Sequence, residues 1–281
     1  MFLANIGLLV TILAWGSSSP IIHELLKEWD PVTLVSARLI LTTSIFWIWL
    51  KFSKTNSFHG THFSWGALFV TGGILGSFSI LLTLALEFSN PINLAVIGAA
   101  SPISASLVNR FLAGVNPTKA IIAVLPLTVL GGVIAELDLA SLKSGGSIFY
   151  LEGGEFLMVI CIFLWPLYSA LTQKWFPNLS QLRRTALSFM AATPLVTIVA
   201  ILLFVLGLED LPSKTPNLRG LSLFIWTCVV TSIIGTFCWN LSVSRMGIIL
   251  ATMALNLLPI VTISVAMIFG FEPRMEQLIG C

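Results

Sequence analysis

Turn and charge signals divide this chain into nine apolar stretches, at roughly 3–22, 32–50, 64–86, 91–112, 118–135, 155–175, 185–207, 219–242 and 247–269. Each approaches the ~20 largely apolar residues that a helix needs to cross a bilayer. Hydrocarbon offers peptide groups no hydrogen-bond partner, so a segment this apolar crosses it as an α-helix. The boundaries carry turn chemistry: Asp30-Pro31, Asn90-Pro91, Asn116-Pro117 and the run from Pro212 to Pro216. Composition agrees, with 57% hydrophobic and 9% charged residues, where soluble domains have ~45–50% and ~25%. The fold class is therefore an all-α integral membrane protein with the lipid bilayer as its partner. The first stretch lacks a basic n-region and a small-residue cleavage site, so it reads as a retained span. After Phe271, Glu272-Pro273-Arg274 reads as a loop, and Met275 to Gly280 as the first turns of a tenth helix before Cys281.

Loop charges predict an orientation. With a cytoplasmic N-terminus, the inner loops hold Lys51, Lys54, Arg110, Lys119, Lys174, Arg183, Arg184 and Arg245. The outer loops hold Lys27, Lys143, Lys214, Arg219 and Arg274, a modest positive-inside bias. All twelve Asp and Glu then fall on or beside the outer side, a segregation that a miscounted span would have scrambled. The expected location is the inner membrane of the cell, multi-pass, as a monomer.

Several functions are disfavoured by what is missing. No Lys/Arg run exists to grip phosphates, so nucleic acid is not an expected partner. Cys161, Cys228 and Cys238 lie inside apolar runs without C-x-x-C spacing, so no disulfide framework, metal or cofactor is expected. An intramembrane enzyme would need a catalytic set within the spans. No H-E-x-x-H occurs, no His, Asp or Glu lies mid-span, and Gly16-Ser17-Ser18 has no base beside it. His23, His59 and His62 sit in or near loops, which argues against a histidine proton relay.

Internal order points to a transporter instead. Trp15 in the first span pairs with Trp165 in the sixth, and Ala37-Arg38-Leu39 aligns with Ala186-Leu187-Ser188. Gly76-Ser77-Phe78 matches Gly235-Thr236-Phe237, and Ser101-Pro102-Ile103 matches Leu258-Pro259-Ile260. The landmarks recur in one order, with residues 1–135 as a first five-span unit, 136–154 as an extracytoplasmic linker and 155–281 as a second unit. An odd number of spans inserts the second copy upside down. Inverted repeats around a midplane site are the architecture of secondary transporters.

The same residues resemble the drug/metabolite transporter superfamily, in its EamA-type form with paired repeats. Leu13-Ala14-Trp15-Gly16-Ser17-Ser18-Ser19 is similar to that family's opening A-x-W-G-S stretch. Asp30-Pro31 followed by Ser36-Ala37-Arg38 is similar to its second-helix P-x-x-x-x-x-x-R pattern, and Ala85-Leu86 through Ser101-Pro102 to its third and fourth helices. Trp239-Asn240, Gly247, Pro259 and Glu272 repeat the theme in the second half. The resemblance implies ten helices, a central cavity and transport by alternating access, with amino-acid exporters the nearest subfamily. Two features depart from it. Ala113-Gly114-Val115 stands where an acid often closes helix four, and the tenth helix is at best a stub.

The residues that fit a cavity are Trp15, Ser18, Phe78, Trp165, Tyr168 and Trp239, with Asn93, Asn240 and Asn256 as buried amides for a polar substrate. Tryptophans also serve as interfacial anchors, and buried amides also bond between helices. Pro102 and Pro259 fall mid-span, where each removes a backbone bond and is expected to hinge or kink its helix. With no mid-span acid to attract cations, the expected small-molecule substrate is zwitterionic or uncharged, an amino acid first, moved by facilitated diffusion.

Arg38 stands apart. It lies ~10 Å along its helix from Pro31 at 1.5 Å per residue, where a charge costs ~2.5–3.5 kcal/mol on insertion scales. It could snorkel outward, clamp a substrate carboxylate, or cap freed carbonyls or an outer acid such as Glu87. The resemblance favours the structural or gating role, because the pattern recurs across transporters of varied substrates.

Overall fold

A computed structural model describes residues 2–52, 64–114, 116, 119–135, 137, 152–212 and 217–280. The first half contributes α1 (Phe2–Leu25), α2 (Pro31–Phe52), α3 (Trp65–Phe88), α4 (Pro91–Gly98), α5 (Ser101–Ala113) and α6 (Lys119–Ala135). The second contributes α7 (Gly154–Trp175), α8 (Gln181–Val205), α9 (Leu218–Trp226) and α10 (Thr236–Met246), the last two joined by a π-helical stretch, Thr227–Gly235. Then come α11 (Ile248–Ala254), a 3₁₀ turn (Leu255–Leu257), α12 (Leu258–Ile268) and the short α13 (Met275–Gly280). All nine expected apolar stretches are helical. Among the described residues, seven helical segments are long and apolar enough to span, with α9 to α10 and α11 to α12 each taken as one. The pair α4 and α5, bent by 43° at its junction, makes an eighth if it is counted as one span. His59, His62, Lys54, Lys143, Lys214 and most of the expected linker lie outside the described residues.

The packing obeys an inverted two-fold exchange of the halves. α3 lies along α7, as the π stretch and α10 lie along α1; α5 and α4 lie on α7, as α12 lies on α1. α2 and α8 pair across the centre, while α4 crosses α12 and α5 crosses α11. Close approach needs small residues. A Cβ on Gly154 would lie 2.2 Å from the Ala85 carbonyl oxygen, and one on Gly72 would lie 2.5 Å from the Ala191 Cβ.

Prolines show the same exchange in their hydrogen bonds. Pro20 in α1 leaves the Gly16 carbonyl without its helical donor, and the Thr262 hydroxyl of α12 donates to it at 3.0 Å. Pro166 in α7 leaves the Ile162 carbonyl free, and the Ser104 hydroxyl of α5 donates to it. Each repeat therefore supplies the hydroxyl that makes a proline tolerable in the other. Pro102 sits in the first turn of α5, just past the bend, and the Ser101 hydroxyl donates to the Gly98 carbonyl at 2.5 Å. Pro259 opens α12, and the Leu255 carbonyl accepts from the Leu258 amide instead.

The two ends of the bundle differ in charge and in how their turns are held. At one end, the Glu209 carboxylate accepts from the Val32 and Thr33 amides at 3.1 and 2.9 Å, satisfying donors that the start of α2 leaves orphaned. Asp30 accepts from the Asp210 amide, and Glu155 accepts from the Ser89 hydroxyl and the Gly153 amide. At the other end Arg184 donates to Gln173 and to the Phe176 carbonyl, and Lys174 to the Leu112 carbonyl. We refer to these as the acidic and basic ends.

Candidate functional site

A cavity of about 160 Å³ lies at the junction of the two halves. At ~10–15 Å³ per water-sized occupant, it holds on the order of ten waters or a metabolite of similar heavy-atom count. Its wall takes Trp15, Ser18, Ser19 and Ile22 from α1, Val35, Arg38 and Leu39 from α2, and Leu75, Phe78, Ser79 and Leu82 from α3. Leu94, Ala95 and Gly98 of α4 and Met158, Cys161, Ile162 and Trp165 of α7 complete that side. In α1 and, apart from Leu75, in α3 these are residues of the later half. In α2 and, apart from Trp165, in α7 they are residues of the earlier half, and α4 is the first arm of the bent pair α4–α5. The cavity therefore occupies the acidic half of the bundle.

The basic half is filled. Trp165, Tyr168, Phe189 and Trp239 pack there with Leu8, Phe46, Val243 and Ile248 in one continuous apolar cluster. The rings interlock at the cavity floor: Trp15 meets Trp165 edge-on at 4.9 Å between centroids, and Phe78 lies 4.9 Å from Trp165. Trp239 lies 5.3 Å from Trp15, and Tyr168 lies 5.2 Å from Trp165. Such aromatic pairs each add about 0.5–1.5 kcal/mol beyond area burial. Polar bonds tie the layer as well. The Trp239 indole N–H donates to the Ser169 hydroxyl at 2.9 Å, and the Asn240 amide donates to the Thr185 hydroxyl at 2.8 Å.

Of the residues expected from sequence, the structure brings Trp15, Ser18, Phe78, Trp165 and Arg38 together in the wall. Tyr168, Trp239, Asn93, Asn240 and Asn256 are not in it. Tyr168 and Trp239 stand behind Trp165, wholly buried in the packed layer. Asn240 is spent on Thr185, and Asn93 accepts from the side chains of Gln277 and Arg274 near the acidic end. Asn256 lies half-buried on the 3₁₀ turn beside the wall residues Leu255 and Leu258. Neighbouring helices hold the Asn240 donor and the Asn93 acceptor, while the side-chain oxygens of Asn240 and Asn256 are buried without a partner among the described residues.

The residues missed by sequence are hydroxyls of the π stretch and its exit. Thr231, Ser232 and Thr236 face the cavity because the widened helix turns them toward it. Three side chains of the first repeat hold the carbonyls of this segment: Trp15 donates to Thr231, Thr11 to Gly235 and Thr42 to Cys228. A π segment disrupts the regular i→i+4 ladder, and its stabilisation comes from those neighbours. No sequence period signals it. The Thr/Ser spacing at 227, 231, 232 and 236 is the one hint of a shared hydroxyl face.

Arg38 is half-buried in the cavity wall, so it does not snorkel to lipid. Among the described residues it makes no hydrogen bond or ion pair, to Glu87 or to a freed carbonyl, and its Nε is sealed from solvent without a partner. The capping role expected above has no contact to support it, and hydroxyls serve the carbonyls freed by Pro20, Pro166 and Pro102. Glu87, Glu152 and Glu272 border a separate pocket at the acidic end. Among the described residues, no cluster of His, Cys, Asp and Glu is arranged to hold a metal ion.

These observations define a class: a multi-pass membrane protein of two inverted helical repeats enclosing a one-sided polar-aromatic cavity. The EamA-like transporter family model matches residues 2–135 and again 152–281. The chain belongs to the EamA-like transporter family. It is 25% identical over 224 residues to the uncharacterized transporter YyaM of Bacillus subtilis (strain 168), covering 75% of this chain and 68% of that one. A solved crystal structure shares the fold at a TM-score of 0.72 and 20% identity, over 99% of this chain and 92% of the other.

Proposed function

We propose that this chain exports small metabolites, amino acids first among them, by alternating access between repeats at 1–135 and 155–281 joined by an extracytoplasmic linker. The observation that carries this reading is the one-sidedness of the cavity. Inverted repeats have two equivalent ways to pack, and exchanging their conformations would empty the basic half while filling the acidic half. Family membership supports transport over catalysis, and the described wall offers hydroxyls and ring faces without an Asp, Glu or His. With the N-terminus cytoplasmic, the cavity of this state faces outward, on the side from which an exported solute leaves.

Two measurements test the reading. Proteoliposomes containing the protein are expected to show counterflow of labelled amino acids, and movement of lipophilic cations alone would overturn it. In a background with the native cysteines replaced, Ser18→Cys is expected to react with an impermeant thiol reagent supplied from outside, and Ser188→Cys in the packed layer is not. Equal labelling of both positions would contradict a one-sided state.

A further inference from the structure

We propose that Arg38 is the substrate-binding group of the cavity: the transported molecule carries a carboxylate on a small apolar body, and the Arg38 guanidinium receives that carboxylate. The inference rests on the transporter reading and adds to it the charged group that is recognised and the residue that recognises it.

The charge balance of the wall is the starting point. Arg38 is the only charged side chain among the described residues that line the cavity. No Asp or Glu of the described wall neutralises it, and the other polar side chains of that wall include the hydroxyls of Ser18, Ser79 and Ser232. An unpaired guanidinium at a low-dielectric site is costly, and a matching anion removes most of that cost.

Its lack of partners is the second observation. The other buried or half-buried arginines whose contacts are known in this protein are spent on the protein itself. Arg184 donates to Gln173, Gln181 and the carbonyls of Phe176 and Leu179. Arg274 donates to the Leu137 carbonyl and to Asn93. Arg38 donates to none of the described residues; its Nε is buried unbonded, as is that of Arg184, but Arg184 has bonds from both terminal nitrogens and Arg38 has none. A guanidinium has five donors in a planar fork that fits a carboxylate in bidentate fashion. Here the fork is held in the wall with that capacity unused.

The remaining wall describes the rest of the ligand. Trp15, Phe78 and Trp165 offer ring faces to a compact apolar group. An ammonium would find hydroxyls and ring faces but no carboxylate, so the amine of an amino acid is accepted without being required. Carboxylic acids lacking the amine belong to the same ligand class.

Calorimetric titration of the purified full chain in lipid nanodiscs tests this with matched probes: leucine, isocaproate (leucine without its amine) and isoamylamine (leucine without its carboxylate). Phenylalanine, hydrocinnamate and phenethylamine form the aromatic set. Saturable binding is expected for the carboxylates of at least one set and absent for both amines. Arg38→Gln is expected to weaken carboxylate binding about ten- to a hundredfold, the scale of a lost charge-assisted bond. Arg38→Lys keeps the charge but loses the fork, and about a tenfold loss is expected. Amines binding as tightly as acids, unchanged acid affinity in either folded variant, or no saturable binding of any acid would each overturn the proposal. The wild-type comparison needs no variant to fold. Counterflow in parallel proteoliposomes separates the two ideas: uncharged or cationic solutes moving as fast as acids would leave the transporter standing and remove Arg38 as its carboxylate site.

Discussion

The basic and acidic halves of this bundle are built from the same helices, yet they treat polar groups in opposite ways. In the basic half Arg184, Asn240 and the Trp239 indole are each bonded to a protein partner inside a packed aromatic layer. In the acidic half Arg38 lines a cavity with no protein partner among the described residues, beside the wall hydroxyls of Ser18 and Ser19. The first arrangement spends these donors on closing the bundle, although the Tyr168 hydroxyl and the Asn240 side-chain oxygen are sealed there without a partner among the described residues. The second leaves Arg38 available to a visitor. If the repeats exchange conformations, part of this contrast must be reversible. The bonds of the basic half are then a lock rather than a permanent weld.

The largest expected effect is at the centre of the lock. Trp239→Ala removes a wholly buried side chain and is expected to cost about 3–5 kcal/mol, read as a lower thermal midpoint in detergent. A near-neutral result would mean that the layer repacks easily. Next in size is Arg184→Gln, which strips the Phe176 and Leu179 carbonyls of a charged donor and is expected to cost about 1.5–3 kcal/mol. Arg38→Gln, by contrast, should leave the thermal midpoint unchanged or raise it, because no protein bond is lost and an unpaired charge is removed. Equal destabilisation by the two arginine variants would abolish the distinction between the halves. Gly235→Ala places a Cβ 2.7 Å from the Trp15 indole nitrogen, so Trp15 must shift, at about 1–3 kcal/mol by the usual cost of overpacking. Unaltered stability and transport there would show that Trp15 is not held by the π stretch. The smallest effect is expected for Ser18→Ala: within ~0.5 kcal/mol in stability, with any change confined to transport.

Much of the fold was readable before any coordinates. A helix in lipid satisfies its own backbone, so its existence depends on local composition and needs no partner to specify it. That is why all nine stretches are helical, whereas the charges separate only in part: Lys27 and Arg219 pair with Glu24, and Arg274 borders the pocket of Glu87, Glu152 and Glu272. The prolines were also legible as breaks, although the fourth span bends at Gly98–Ser101, immediately before Pro102. The candidate site was legible in part. Trp15 and Trp165 meet at the cavity floor as the repeat predicts, but Trp239 and Tyr168, equally aromatic, lie behind them. Period and composition are the same for a ring that lines a cavity and one that seals it.

The sequence by itself determined the class of protein, its succession of apolar helices and the repeat, because each follows from local hydropathy and the order of landmarks. Of the nine expected spans, seven helices are long and apolar enough to cross a membrane, or eight if α4 and α5 count as one. Only the tertiary structure decided where polar groups find partners. Thr262 and Ser104 relieve prolines in the opposite repeat, and Trp15, Thr11 and Thr42 hold carbonyls of the π segment. Asn93 and the Asn240 donor are bonded between helices, while Arg38 has no partner among the described residues. Each of these outcomes joins residues far apart in the chain, and a hydrogen bond depends on distance and angle, quantities that no local pattern encodes.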